Sequence, residues 1–100
     1  MSLSRVFAQL ADDMPAFRQA VFTLSKSLIS RGRNSSKSFD SFFEREVLHG
    51  LHRGGFTREK LRDLKRIARS EYHRAKHGQY FDPNAINDAH IDTVEEAQTT

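Results

Sequence analysis

The sequence predicts a small all-α bundle of about four helices that ends in a polar, acidic C-terminal tail. Apolar residues recur at spacings of three and four, and no segment alternates apolar and polar residues as a half-buried strand does. Glycine, serine and proline separate the apolar segments. With 100 residues, of which 37% are hydrophobic, the chain has enough material for one domain and little for a second.

Composition excludes several classes of protein. The chain has no cysteine, which rules out a disulfide scaffold, a thiolate metal site and a cysteine nucleophile. No apolar run approaches the ~20 residues that a membrane helix needs. The N-terminus also lacks the apolar core of a signal peptide. We therefore expect a cytoplasmic protein with no membrane contact.

Two helices are predicted in the first third of the chain. The first runs from about Ser2 to Asp12, and the second from about Met14 to Arg31. The Asp-Asp-Met-Pro run between them is typical of a helix start, because Asp caps helices and Pro is tolerated in a first turn. A single helix kinked at the proline is the alternative. Gly32 stands where a left-handed C-terminal cap would fall.

A third helix is predicted after the polar loop 32–38. Ser41-Phe42-Phe43-Glu44 matches a capping box, although Asp40 or Ser38 could cap the helix equally well. The helix carries a broad apolar face and ends at Gly54-Gly55.

The fourth helix has the best-defined start. Thr57 is the expected N-cap, and Phe56 and Leu61 are spaced as a hydrophobic staple. Gly78 ends this helix. A short helical piece from Pro83 to about His90 would complete a domain of residues 1–90, and residues 91–100 form the acidic tail.

A hydrophobic core follows from these stripes. Its expected members are Phe7, Leu10, Phe17, Val21, Leu24, Leu28, Phe43, Val47, Leu48, Leu51, Phe56, Leu61, Leu64 and Ile67.

Charge is distributed unevenly along the chain. The net charge is +3 overall, but residues 41–78 hold ten basic and five acidic side chains, whereas residues 79–100 hold five acids and no Lys or Arg. The predicted fourth helix alone carries eight cations. Four of them share one helical face at spacings of three and four: Arg62, Lys65, Arg66 and Arg69. A basic helix face of this kind indicates contact with a polyanion.

The residues that we predict to bind nucleic acid are taken from this helix and from the preceding loop. They are Arg58, Arg62, Lys65, Arg66, Arg69, Arg33 and Lys37. The alternative is a solvated face that Glu59, Asp63 and Glu71 partly neutralise, in exposed pairs worth ~0.3 to 0.5 kcal/mol each.

The third and fourth helices, joined by a tight turn, resemble the local pattern of a helix-turn-helix. An ordinary helical hairpin has the same pattern. The first turn of the fourth helix holds Arg58, Glu59 and Lys60 and lacks Asn, Gln or Ser. Phosphate contact is therefore a better expectation than base reading.

No motif indicates catalysis, a cofactor or a metal site. His49 and His52 are three residues apart, and His73 and His77 are four apart, but no zincin motif accompanies either pair. We expect the histidines to add positive charge beside the arginines as the pH falls towards ~6.5.

The sequence thus predicts a non-enzymatic nucleic-acid-binding accessory or regulatory protein. The alternative is a protein–protein interaction module or inhibitor, for example one encoded by a phage or plasmid, that docks on a larger protein or nucleoprotein complex through an acidic surface of that partner. Eight Phe exceed what four short helices easily bury, so a homodimer is also predicted.

Overall fold

The computed structural model describes residues 2–84, which form an all-α bundle around one core. The predicted fold class is confirmed, because the described residues contain helices and no strand. The elements in chain order are α1 (Leu3–Leu10), α2 (Met14–Ser30), α3 (Ser36–Phe43), a π-helical segment (Glu44–Leu48), α4 (His49–Arg53) and α5 (Arg58–Lys76). The α3, π-helical and α4 segments follow one another without a break, so residues 36–53 form one continuous helix that corresponds to the predicted third helix.

Side-chain caps begin the helices largely where the sequence indicates. The Ser2 hydroxyl accepts from the Arg5 amide at 3.3 Å before α1. Asp13 accepts from the Ala16 amide at 3.4 Å before α2, so the chain breaks there and does not continue as one kinked helix. Thr57 accepts from the Lys60 amide at 3.1 Å and is the predicted N-cap of α5.

The third helix begins earlier than any of the three predicted caps, three residues before Ser38 and six before Ser41. Ser35 is the N-cap, and its hydroxyl accepts from the Ser38 amide at 3.1 Å. Ser41 lies inside the helix, so the Ser41–Glu44 pair is not a capping box. Phe39 lies on this helix, as its apolar face predicts, and its ring stacks on Tyr72 with centroids 4.5 Å apart.

The π-helical segment keeps four apolar residues on one face. Phe39, Phe43, Val47 and Leu51 are spaced four apart and are each at most 2% exposed. In a regular α-helix of 3.6 residues per turn, three such steps rotate the stripe by about 120°. A π-helical turn holds more residues than an α-helical turn, so two residues four apart within it are separated by a smaller rotation about the helix axis. The stripe therefore stays directed towards the core.

Aromatic rings make up the centre of the core. Phe7 packs edge-to-face on Phe17 and Phe43, with centroids 5.5 and 5.7 Å apart, and Phe43 stacks on Phe39. The Tyr72 hydroxyl donates to the Arg33 carbonyl at 3.3 Å. Burial, and next the Asp40 carboxylate, raise the pKa of Tyr72 above its ordinary value of 10.0. Because tyrosinate forms first in the unfolded chain, this residue's contribution to stability is full below pH 10 and falls as the pH rises further.

Most of the predicted core is buried. Ten of its members are buried: Phe7, Phe17, Val21, Leu28, Phe43, Val47, Leu48, Leu51, Leu64 and Ile67. Leu10, Leu24, Phe56 and Leu61 are partly buried against that core. None of the eight Phe is exposed, so the surplus of Phe on which the predicted homodimer depended is not found.

A buried ion pair joins α2 to α5. Arg18 is 2% exposed and its Nε donates to Glu71 Oε2 at 2.7 Å, while Glu71 is fully buried. The interpretation of Glu71 as a solvated neutraliser of the basic helix is therefore wrong. Arg18 Nη2 also donates to the Asp82 carbonyl at 2.9 Å, and its guanidinium lies 5.4 Å from the Phe81 ring centroid. The chain after α5 is thus held against α2.

Close packing between α1 and α4 depends on Gly50. A Cβ built on Gly50 would lie 2.3 Å from Ser4 Oγ and 2.4 Å from Ser4 Cβ, which is too close for any pair of unbonded atoms. We expect Gly50→Ala to destabilise the fold by about 1–3 kcal/mol in urea denaturation, despite the better helix propensity of Ala.

Two variants test the cause of that loss. In the Gly50→Ala protein, a second substitution, Ser4→Gly, removes both clashing atoms and should restore most of the stability that Gly50→Ala loses. Ser4→Ala keeps Cβ and should restore little of it. A Gly50→Ala protein as stable as the wild type would contradict the predicted clash.

Two C-terminal predictions fall largely outside the described residues. The helical piece at 83–90 and the acidic tail at 91–100 extend beyond Asn84, the last residue described. Of the residues just before them, Phe81 packs against Phe22 with ring centroids 5.7 Å apart, and Tyr80 is 92% exposed.

Candidate functional site

The basic face of α5 is a continuous strip on the surface. With 100° of rotation per residue, its cations fall within about 100° of the helix circumference. The buried residues of α5 occupy a different arc, which packs on α2 and on α3. Arg62, Arg66 and Arg69 are exposed and Lys65 is half-buried. The four residues that the spacing grouped together therefore lie on one surface strip.

Three of these four cations have acidic neighbours. Lys65 Nζ pairs with Glu44, Arg66 Nη2 lies 3.3 Å from Asp63 Oδ1, and Arg69 Nε lies 3.4 Å from Asp40 Oδ1. The Arg69–Asp40 pair is an ion pair without hydrogen-bond geometry. All three pairs are partly solvated, and pairs of this kind contribute ~0–1 kcal/mol, so a phosphate group can compete for the cations.

Arg62 is the member of the strip that has no acidic partner within residues 2–84. It also lines both of the surface grooves that run beside the strip. The N-terminal groove, of about 830 Å³, lies between α5 and the continuous helix 36–53. Its lining residues are Ser41, Glu44, Arg45, Leu48, His49, His52, Arg58, Leu61, Arg62 and Lys65.

The second groove continues along α5. This C-terminal groove, of about 690 Å³, is lined by Arg62, Lys65, Arg66, Arg69, Ser70 and His73. Because Arg62 and Lys65 belong to both grooves, the two form one continuous, shallow surface. Six Arg and Lys side chains and three His line it, against one carboxylate, that of Glu44. This surface can hold a chain of anionic groups and gives each of them a cation.

The two loop cations among the predicted site residues do not line either groove. The Arg33 guanidinium lies 5.5 Å from the Phe42 ring centroid, and Lys37 is exposed at the start of α3. Arg58, in contrast, lines the N-terminal groove. The structure therefore brings together the five predicted residues of α5 and leaves Arg33 and Lys37 apart from them.

The prediction missed the wall that faces α5. Arg45, His49 and His52 lie on the continuous helix 36–53 and line the N-terminal groove. A signal for this wall exists in the sequence. Ser41, Arg45, Leu48 and His52 are spaced four, three and four apart, opposite the buried stripe of the same helix.

The histidines do not assemble a metal centre in the described part of the chain. The rings of His73 and His77 lie 6.5 Å apart. No group of three or more His, Asp or Glu within residues 2–84 is placed to hold a metal ion. Within the same range, no helix combines the length and the apolar character needed to cross a bilayer.

The geometry of this surface is the basis for any functional assignment. Comparisons with models of protein families, with curated proteins and with solved structures give no match for this chain.

Proposed function

We propose that the protein is a non-enzymatic nucleic-acid-binding accessory or regulatory protein that contacts phosphates through the basic strip of α5. The observation that carries the proposal is the continuous cationic surface formed by the two grooves, whose lining includes six Arg and Lys side chains and one carboxylate. Phosphate backbones are recognised by such surfaces largely through charge.

Phosphate contact is favoured over base reading. Helix α5 contains no Asn or Gln, the side chains that read adenine edges in the major groove. Four residues, 54–57, join the continuous helix 36–53 to α5, so a helix-turn-helix mode is the second way in which α5 could approach DNA. In both modes, Arg62 lies at the centre of the contact.

A double charge reversal tests the proposal. Arg62→Glu with Arg66→Glu should abolish binding of a fluorescein-labelled oligonucleotide at low salt, measured by anisotropy. Each lost phosphate contact should lower the slope of log affinity against log salt by about 0.7–0.9. Both side chains are exposed, so we expect the stability to change by no more than about 0.5 kcal/mol.

A matched control uses the two cations that lie outside the grooves. Arg33→Glu with Lys37→Glu changes the net charge by the same amount, from +3 to −1, since each reversal subtracts two charges. We expect this control to retain most of the affinity. Equal losses in the two double variants would contradict a localised site and would indicate attraction by net charge alone.

The alternative function is docking on an acidic surface of another protein. The observation that favours it is the apolar floor of the N-terminal groove, where Leu48 and Leu61 lie between the basic residues. Such a floor can accept an apolar side chain of a protein partner. If the wild-type protein retains neither single-stranded nor double-stranded oligonucleotide at low salt, this alternative replaces the proposal.

A further inference from the structure

Three of the four histidines in residues 2–84 line the basic grooves. His49 and His52 lie in the N-terminal groove and His73 lies in the C-terminal groove, whereas His77 lines neither. His49 and His52 are both exposed on α4, three residues apart and therefore on one side of the helix. Two imidazoles of α4 and the arginines of α5 therefore line the same groove.

The charged groups around these two imidazoles are mostly cationic. From α5 the groove receives Arg58, Arg62 and Lys65, and from the continuous helix it receives Arg45 and Glu44. Glu44 pairs with Lys65, and Arg45 lies 3.2 Å from Glu46. On its other side, α4 packs on α1 through Ser4 and Gly50, which contribute no charge. The cations on the two walls repel one another across an empty groove, and an anion between the walls attracts both sets.

We infer that His49 and His52 form the second, proton-dependent wall of the phosphate-binding groove, so that the affinity for nucleic-acid phosphates rises as the pH falls below neutrality. This inference rests on the proposed function. Imidazole is the side chain whose charge ordinarily changes between pH 8 and pH 6, so an imidazole wall can add positive charge where arginine and lysine cannot. The phosphates then lie between cations on both α4 and α5, instead of along α5 alone.

Linkage gives the expected size of the effect. If the complex takes up one more proton than the free protein, the affinity changes about tenfold for each pH unit within the imidazole range. Arginine and lysine keep their charge throughout this range, and they supply the binding that persists at pH 8.

The experiment measures the affinity of labelled oligothymidylate at pH 6 and at pH 8 at constant ionic strength. Phosphodiesters and thymine do not titrate in this range, so the protein accounts for any change. We expect the wild type to bind about tenfold or more tightly at pH 6. His49→Gln with His52→Gln should remove most of this gain, so that the ratio of the affinities at pH 6 and pH 8 falls towards one.

Two further variants separate charge from structure. His49→Lys with His52→Lys fixes the positive charge, so it should bind at pH 8 about as tightly as the wild type does at pH 6. His77 lies outside both grooves, so His77→Gln should keep the full pH dependence of the affinity. Circular dichroism at both pH values verifies that each variant is folded.

The outcomes distinguish this inference from the proposed function. If the double Gln variant keeps the wild-type ratio between pH 6 and pH 8, the inference is overturned. The proposed function survives that result as long as reversal of Arg62 and Arg66 still abolishes binding. If the wild type binds neither oligothymidylate nor a labelled duplex at either pH, both fail together.

Discussion

Glu71→Leu should destabilise the fold strongly, with an expected loss of about 3–5 kcal/mol in the free energy of unfolding. The substitution leaves the Arg18 guanidinium buried, with the Asp82 carbonyl as its remaining acceptor within residues 2–84. A buried charge that has lost its counter-ion bears its desolvation cost without an opposing attraction. Denaturation in guanidinium chloride measures the loss, which is a large part of the ~5–15 kcal/mol that a typical domain has.

The double variant Arg18→Met with Glu71→Leu is the matched control. It removes both charges and fills their volume with apolar side chains, a replacement that is often neutral or stabilising for buried pairs. We therefore expect it to be more stable than Glu71→Leu alone. If the single variant loses less than about 1 kcal/mol, the pair does not have the buried character described above.

Phe43→Ala should have an effect of similar size, a loss of about 3–5 kcal/mol. The ring is 1% exposed and lies between Phe7 and Phe39, so its removal leaves a cavity that the two neighbouring rings cannot close. Thermal or urea denaturation followed by far-ultraviolet circular dichroism measures the difference.

The neighbouring Phe42 offers a control with the same side chain. It is partly buried, and the guanidinium groups of Arg33 and Arg45 lie 5.5 and 5.9 Å from its ring centroid. Because solvent reaches that ring, we expect Phe42→Ala to cost about 1 kcal/mol. Similar losses for Phe42→Ala and Phe43→Ala would show that the stripe facing the core has been assigned to the wrong residues.

The helices that could be predicted from the sequence are those with strong local signals. Thr57, whose hydroxyl accepts from the Lys60 amide, is a local signal for the start of α5, and Phe56 and Leu61 have the spacing of a hydrophobic staple. The third helix differs, because Ser35, Ser38 and Ser41 are all chemically able to cap it. Local chemistry therefore leaves the start undetermined, and the contacts that order this segment, such as that of Phe39 with Tyr72, join residues 33 positions apart.

Long-range contacts also explain what the charge pattern could not reveal. Glu71 resembles the other acids of α5 in sequence, yet its partner Arg18 lies 53 residues away on α2. The basic strip was predictable because the spacing along one helix determines which residues share a face. For the facing wall, spacing indicates which residues share a face of the continuous helix, but the position of that face beside α5 depends on how the helices pack.

The π-helical segment gives the continuous helix one residue more than a regular α-helix would need to direct the same apolar stripe towards the core. Removal of any one of the three exposed residues Glu44, Arg45 and Glu46 would change the spacing of the buried stripe from four-four-four to four-three-four. An ordinary α-helix keeps that heptad-like spacing on one face, so the core has no need of the additional position. On the exposed side, however, this part of the helix makes contacts, because Glu44 forms an ion pair with Lys65 and Arg45 lines the N-terminal groove. The additional residue of this helix therefore contributes contacts on the exposed side and none that the core requires.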